Sequence, residues 1–268
     1  MSKIIKEYWA GKAILITGAS SGIGWALAEA LAPLNVHLGF MSRRQEKMEE
    51  LADSLRYSNS RIWIRACDVQ NRDAVTAAVN DFAKAAGRID AVWLNSGVSI
   101  DSYYKSWQWD AVDAMFKTNL MGAIYTAKAC IDIMAEQKSG AIIGVGSAAS
   151  MRGLPKRGIY SLTKIGLAYY LESLATELPF LQTTMIHPGY IDTPINAGNA
   201  NRFWLLQPEK AAKMMLQAVA RKKLSYIFPW QMALLYRFVQ AVPNRLYVKL
   251  AARMMHLSRP DLNETKTT

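Results

Sequence analysis

The chain has 268 residues, 51% of them hydrophobic, enough apolar surface for one sizeable core. Its two cysteines, Cys67 and Cys130, lie in apolar segments without metal-ligand spacing, which argues against a disulfide scaffold or a cysteine metal centre and for buried free thiols. Of the net charge of +11, the stretch from Arg202 onward carries +9, with 12 Lys and Arg against 3 Asp and Glu, so the basicity belongs to the tail. The opening residues, MSKIIKEYWAGK, lack the apolar centre of a signal peptide, and no apolar run approaches the roughly 18 residues of a membrane span. A cytoplasmic location is expected.

In chain order, the first unit is an apolar run, KAILIT, a glycine-rich turn, GASSGIG, and a helical stretch, WALAEALAPL. Gly18, Gly22 and Gly24 let the backbone turn tightly and approach a pyrophosphate, whose charge the amino end of the following helix favours. Ser20, Ser21 and Ile23 belong to the same dinucleotide-binding turn. A second strand, about VHLGFM, leads into SRRQEKMEELADSL, which reads as helix. About 20 residues past the glycines, where a carboxylate would bind a ribose 2′-hydroxyl, stand Ser42, Arg43 and Arg44. Guanidinium groups there suit a 2′-phosphate, so NADP(H) is expected over NAD(H). A solvated pair opening a helix is the alternative, although cations sit poorly against that end of the dipole.

RIWIRACDV reads as a third strand ending near Asp68 and Val69, and NRDAVTAAVNDFAKAAGRI as a helix. AVWLNSGV is a fourth strand running into Asn95, Ser96 and Gly97. Asp68 and Asn95 suit either a contact with the adenosine half of a dinucleotide or the capping of turns. A long helix, about Trp107 to Glu136, carries Asn119 in its middle; Asn is an indifferent helix former, and polar filler is the default reading.

AIIGVGS is a fifth, buried strand that brings Ser147 to its carboxyl end, where open α/β sheets place their chemistry. On the helix GIYSLTKIGLAYYLESLATEL, Tyr160 and Lys164 stand four residues apart and project from one face. A phenol with an ordinary pKa of about 10 is a poor acid or base at neutral pH, and a cation beside it brings proton transfer into range. Lys164 is the expected cation, and the Ser147 hydroxyl the expected partner of a carbonyl oxygen. TTMIHPGYIDTPI is a sixth strand breaking at Pro188 and Gly189, with His187 read as a packed core residue. Past it, a segment of about 190–207 carrying Ile191, Asp192, Thr193, Phe203, Trp204 and Leu205 resembles a mobile lid. PEKAAKMMLQAVARKK is helical, with Arg221 to Lys223 at the end where cations are favoured, and LSYIFP closes the sheet as a seventh strand. Strands alternating with helices predict an α/β fold, a doubly wound and mostly parallel seven-stranded sheet with helices on both faces.

TGASSGIG, Asn95-x-Gly97, Asn119, Ser147, Tyr160-x-x-x-Lys164 and Pro188-Gly189, in that order over about Lys12 to Pro229, resemble the short-chain dehydrogenase/reductase family of the single-domain, Rossmann-type kind. The resemblance implies that Tyr160 exchanges a proton with the substrate oxygen and that Ser147 hydrogen-bonds the same oxygen. It also implies that Lys164 holds the nicotinamide ribose and lowers the Tyr160 pKa, that Asn119 positions a water, and that Ile191 and Thr193 contact the carboxamide. It implies a homodimer or homotetramer acting on a small carbonyl or alcohol substrate. Two positions depart from the family pattern: Ser96 stands where Ala is usual, and Gly146 where Ser is commoner.

The expected division is therefore a domain at 1–229 and a helical extension at 230–268. In the extension, WQMALLYRFVQAV and NRLYVKLAARMMH are two candidate helices, the second with Arg245, Lys249 and Arg253 on one face beside Leu246, Leu250 and Met254. Such a pair could lie on an anionic membrane surface, but packing on the domain, covering the pocket or forming a subunit contact is the default reading. Phe203, Trp204, Trp230 and Phe238 favour an apolar or lipid-like substrate. An NADP sensor without turnover is the alternative function, against which the complete set of four polar site residues argues. No nucleic-acid partner is expected, because charge without a recognition motif is weak support.

Overall fold

The computed structural model describes residues 1–197 and 202–257, with side chains as far as Arg253. The seven apolar runs are strands: β1 (Ala13–Thr17), β2 (His37–Ser42), β3 (Arg61–Ala66), β4 (Ala91–Leu94), β5 (Gly140–Val145), β6 (Leu181–Pro188) and β7 (Ser225–Phe228). They pair in parallel throughout, in the order β3-β2-β1-β4-β5-β6-β7. Every residue of β1 and β4 is buried, as expected of parallel strands covered on both faces. Alternate residues serve opposite cores: Ile14 and Ile16 enter one, Ala13 and Leu15 the other.

One face is covered by α1 (Lys3–Trp9), α2 (Gly22–Leu31), α3 (Gln45–Ser54) and α8 (Pro208–Ala220), the other by α4 (Arg72–Ala86), α6 (Gly122–Gln137) and α7 (Gly158–Glu177). The chain leaves β1 in one direction along the sheet and, from β4 on, runs in the other. That reversal opens a crevice between the carboxyl ends of β1 and β4, the place where doubly wound sheets bind ligands.

Helix α1 has no counterpart among the elements expected from the sequence, because seven residues are too few to show a helical period. Its Trp9 is fully buried, donates its indole N–H to the Leu216 carbonyl at 3.1 Å and stacks on Trp93 with ring centroids 5.9 Å apart. The long helix expected at 107–136 is divided: α5 (Trp109–Met115) passes through a π-helical segment, Phe116–Met121, into α6. Gly122 opens α6 against Val69, where a Cβ would lie 2.8 Å from a Val69 methyl. Strand β2 ends at Ser42 and α3 begins at Gln45, so Arg43 lies in the connection and Arg44 is the N-cap of the helix.

After β7 the chain forms α9 (Trp230–Ala241), packed against β7, and α10 (Asn244–Leu257). Met232 and Tyr236 are the buried residues of α9, and Tyr247 of α10 donates to the Gly153 carbonyl at 2.9 Å. Met254, expected on the apolar face of the second helix, lies outside the residues whose side chains are described. No helix among the described residues is long and apolar enough to cross a membrane. His187 is a core residue as expected: its ring lies 5.7 Å from that of Tyr236, and its Nδ1 is 2.9 Å from the Ser150 hydroxyl.

Trp9→Ala should cost about 3–5 kcal/mol in denaturant unfolding, the usual range for emptying a buried aromatic site. A loss under about 1 kcal/mol would mean that α1 is peripheral to the core. Burial pushes the His187 pKa down to about 4, against about 6.5 for the unfolded chain, so between those values the unfolded state binds more protons. Stability should therefore fall as pH drops from about 6.5 to 4, by up to ~3 kcal/mol, with no penalty at neutral pH. Denaturation curves of His187→Gln should lack that share of the acid-side slope.

Candidate active site

The crevice at the strand reversal is a cleft of about 660 Å³ at the carboxyl ends of β1, β2, β4, β5 and β6. At one end lies the glycine-rich turn. Gly18 has φ +68°, and a Cβ on it would lie 3.0 Å from the Ser96 backbone; Gly22 has φ +57°. Both fall where side chains are disfavoured, so the turn can be this tight only with glycine. Gly18, Ser20, Ser21, Gly22 and Ile23 line the cleft. Gly24 does not: its missing Cβ makes room for the Gly18 carbonyl, 2.4 Å from where that atom would sit, so it sets the packing of helix on turn. Ser21 caps α2 without a side-chain hydrogen bond, leaving the helix's amino end for an anion.

The basic connection after β2 turns toward this end. The Arg44 guanidinium donates through Nη2 to the Ser20 and Ser21 hydroxyls, each at 2.9 Å, while Ser42 donates to Ser20 at 2.7 Å. Arg43 also lines the cleft. Four cations, Arg43, Arg44, Arg157 and Lys164, face the cleft against one carboxylate, Asp68, among the described residues. Asp68 accepts from the Gln70 amide at 3.0 Å, so it caps a turn and borders the cleft at once, beside Val69. Asn95 also does both: it lines the cleft while its amide donates to the carbonyls of Thr17 at 2.9 Å and Gly18 at 3.2 Å.

The other end gathers Ser147, Tyr160 and Lys164. Ser147 lies two residues past β5 and accepts the Ala149 N–H at 3.1 Å, so its own proton remains available to a neighbour. Lys164 is buried and donates to the Val145 carbonyl at 2.8 Å, with burial drawing its pKa down to about 8. Burial raises the Tyr160 pKa, and a hydrogen bond with Ser147 and the charge of Arg157 pull it back. The Lys164 ammonium, the cation expected beside the phenol, lies 5.8 Å from the Tyr160 ring centroid, and the charge of Arg157 adds to the lowering by Ser147. Arg157, held by a 2.7 Å bond to Ser99, was missed in the sequence although it stands three residues, one helical turn, before Tyr160.

Asn119 is not filler. Fully buried in the π-helical segment, it accepts the Val98 N–H at 2.7 Å and donates to the Val98 carbonyl at 2.9 Å and the Thr163 hydroxyl at 3.1 Å. It does not line the cleft; it ties the loop after β4 to α7. Gly97 lies between: a Cβ there would stand 3.3 Å from the Lys164 ammonium and 3.4 Å from Asn119 Oδ1. At Gly146 a Cβ would fall 2.5 Å from Met185 Cε and 3.0 Å from the Ile186 carbonyl, so a Ser there would have to displace the end of the Met185 side chain.

Pro188, Gly189, Ile191 and Thr193 form the third side of the cleft. The feet of the loop beyond are joined: Leu206 donates to the Tyr190 carbonyl at 3.0 Å and Asp192 to that of Leu206 at 2.9 Å. Part of the expected lid, 198–201, lies outside the described residues. Of the four aromatic residues expected around a substrate, Phe203 lines this cleft, with Met151, Leu154 and Met232; Trp204 and Trp230 line a separate groove, and Phe238 lines neither.

Residues 12–202 match the short chain dehydrogenase family. An uncharacterized oxidoreductase of Myxococcus xanthus is 32% identical over 243 residues, covering 90% of this chain and 96% of that protein. An alcohol dehydrogenase from Thermococcus sibiricus, solved with 5-hydroxy-NADP, superposes with a TM-score of 0.75 at 24% identity over 81% of this chain and 95% of that one. A short chain dehydrogenase/reductase from Burkholderia phymatum, solved with NAD, gives 0.78 at 21% over 86% and 93%. With the Rossmann-type sheet, the glycine-rich turn at its reversal and a match across most of the length, the chain belongs to the short-chain dehydrogenase/reductase family of oxidoreductases.

Proposed function

We propose that this protein is an NADP(H)-dependent oxidoreductase that interconverts a ketone or aldehyde and an alcohol, with Tyr160 as general acid and base. The observation that carries the reading is one cleft with Ser147, Tyr160 and Lys164 at one end and a basic glycine-rich turn at the other. The residues fit a dinucleotide. The turn of residues 18–23 and the amino end of α2 would hold the pyrophosphate, Arg43 and Arg44 a 2′-phosphate, and Lys164 the nicotinamide ribose. Ile191 and Thr193 would meet the carboxamide. When bound, the cofactor supplies or accepts the hydride.

The protein's own part is proton transfer and orientation. The Ser147 hydroxyl would donate to the substrate oxygen, and the Tyr160 hydroxyl would give that oxygen its proton in reduction or take it in oxidation. Arg157 and Ser147 make the phenolate easier to form, against its burial. Asn119 has committed both amide hydrogens to Val98 and Thr163, so its part is to position the loop and α7; the second lone pair of Oδ1 is what it has left for a water. Phe203, Met151, Leu154 and Met232 favour an apolar substrate. Leu162 and Tyr169, exposed seven residues apart on α7, offer a face for a homodimer or homotetramer contact.

The preference for NADP(H) rests on this chain's residues, since structures sharing the fold hold an NADP analogue in one case and NAD in another. Wild-type protein should oxidise NADPH in preference to NADH with apolar ketones. Tyr160→Phe should bind NADPH equally and lose about 10²- to 10⁴-fold in kcat. Equal binding with no turnover by either protein across a broad carbonyl panel would turn the reading toward a non-catalytic NADP sensor. Arg44→Ala should weaken NADPH binding by about 10- to 100-fold, as expected for loss of a charged hydrogen bond, while NADH binding changes little. An equal loss for both cofactors would remove the assignment of Arg44 to a 2′-phosphate.

A further inference from the structure

Met232 and Tyr236 seat α9 on the domain, and the opposite side of that helix turns outward with Trp230, Leu234 and Phe238 at 68%, 57% and 67% exposure. Their spacing of four residues makes one stripe. Helix α10 adds Leu246, Val248 and Leu250 at 49%, 63% and 47% exposure. Leu246 and Leu250, four residues apart, share one side of α10 and Val248 lies on another; with the α9 stripe they put exposed apolar groups of the kind that mark an interaction site on two consecutive helices.

Cations are interleaved with them. Arg237, Arg245, Lys249 and Arg253 enter none of the ion pairs formed among the described residues. From Arg202 to Leu257 the sequence has a single carboxylate, Glu209. Beside α9 lies a groove of about 780 Å³ lined by Trp204 and Trp230 together with Lys210, Lys223 and Arg237, and by no Asp or Glu among the described residues.

We propose that this face docks the protein on an anionic lipid bilayer, with the stripe of α9 and the apolar residues of α10 in the interfacial layer and the cations against lipid phosphates. Exposed aliphatic groups, basic residues and tryptophan on consecutive helices are what an interfacial helix pair requires. Charge disfavours a second copy of the chain, because a two-fold contact would set these cations against themselves. Met232, on the inner side of α9, lines the active-site cleft, so a bilayer on the outer side lies one helix diameter, about 10 Å, from its wall. The docking stands independently of the cofactor and substrate assigned to the cleft.

The test is co-sedimentation of the full chain with vesicles of phosphatidylcholine alone and of phosphatidylcholine with an equal part of phosphatidylglycerol. Wild type should pellet with the mixed vesicles and stay in solution with the neutral ones. Arg245→Ala with Lys249→Ala should weaken binding about fivefold per charge removed. Trp230→Ser with Phe238→Ser should abolish it, and both variants should keep the wild-type melting temperature and NADPH affinity. The proposal is overturned by equal binding to both vesicles, or by binding to neither. It is equally overturned if the apolar variant turns a dimer into a monomer, or if salt-sensitive binding to DNA replaces vesicle binding.

Discussion

The side-chain amide of Asn95 donates to two successive carbonyls, Thr17 and Gly18, across the point where the strand order reverses. Backbone carbonyls at such a seam need a partner, and the Asn95 amide supplies it. The bond draws the glycine-rich turn against the Ser96 backbone, and that closeness demands glycine at position 18. Gly24 has its place for the same reason, since α2 can start here only if it rests directly on the Gly18 carbonyl. The cleft is thus a consequence of packing at one seam of the sheet, and its basic end and reactive end are held in register by it.

Burial governs the other end. Lys164, Tyr160 and His187 all lie where water is scarce, and each titrates away from its ordinary value in the direction that keeps it neutral. For His187 this is a structural matter: it packs on Tyr236 and joins the extension to the sheet. For Tyr160 it is a chemical problem that the surroundings offset in part, through the Ser147 hydroxyl and the Arg157 guanidinium. Asn119 works one layer behind, holding Val98 on one side and Thr163 on the other, so that the loop carrying Gly97 and the helix carrying Tyr160 keep a constant separation. The π-helical turn around Asn119 is where that amide enters the junction.

The extension brings a second kind of asymmetry. Its first helix is anchored by two buried residues and turns most of its aromatic surface outward, away from the cleft where the sequence led one to expect it. Net charge is divided along the same line: the sheet and its early helices are nearly neutral, and the late helices carry the excess. Local sequence shows that such residues are present and basic, but which of them face the cleft depends on how α9 lies against β7 and the loop after β5.

The sequence alone determined the seven strands, the helices between them, the glycine-rich turn and the spacing of Ser147, Tyr160 and Lys164, because these follow from local periodicity and from residue types that tolerate few conformations. It determined the family as well, because those features come in a set order. Only the tertiary structure decided that Gly24 serves packing, that Arg44 is tied to the turn through Ser20 and Ser21, and that Asn119 bonds Val98 and Thr163. It also decided that Arg157 stands close enough to the phenol to lower its pKa, and that Trp204 and Trp230 leave the cleft to Phe203. Each of these depends on contacts between segments distant in the chain, whose distances no local pattern encodes. Helix α1 belongs with them: its seven residues carry no readable period, and Trp9 is held by Leu216 and Trp93.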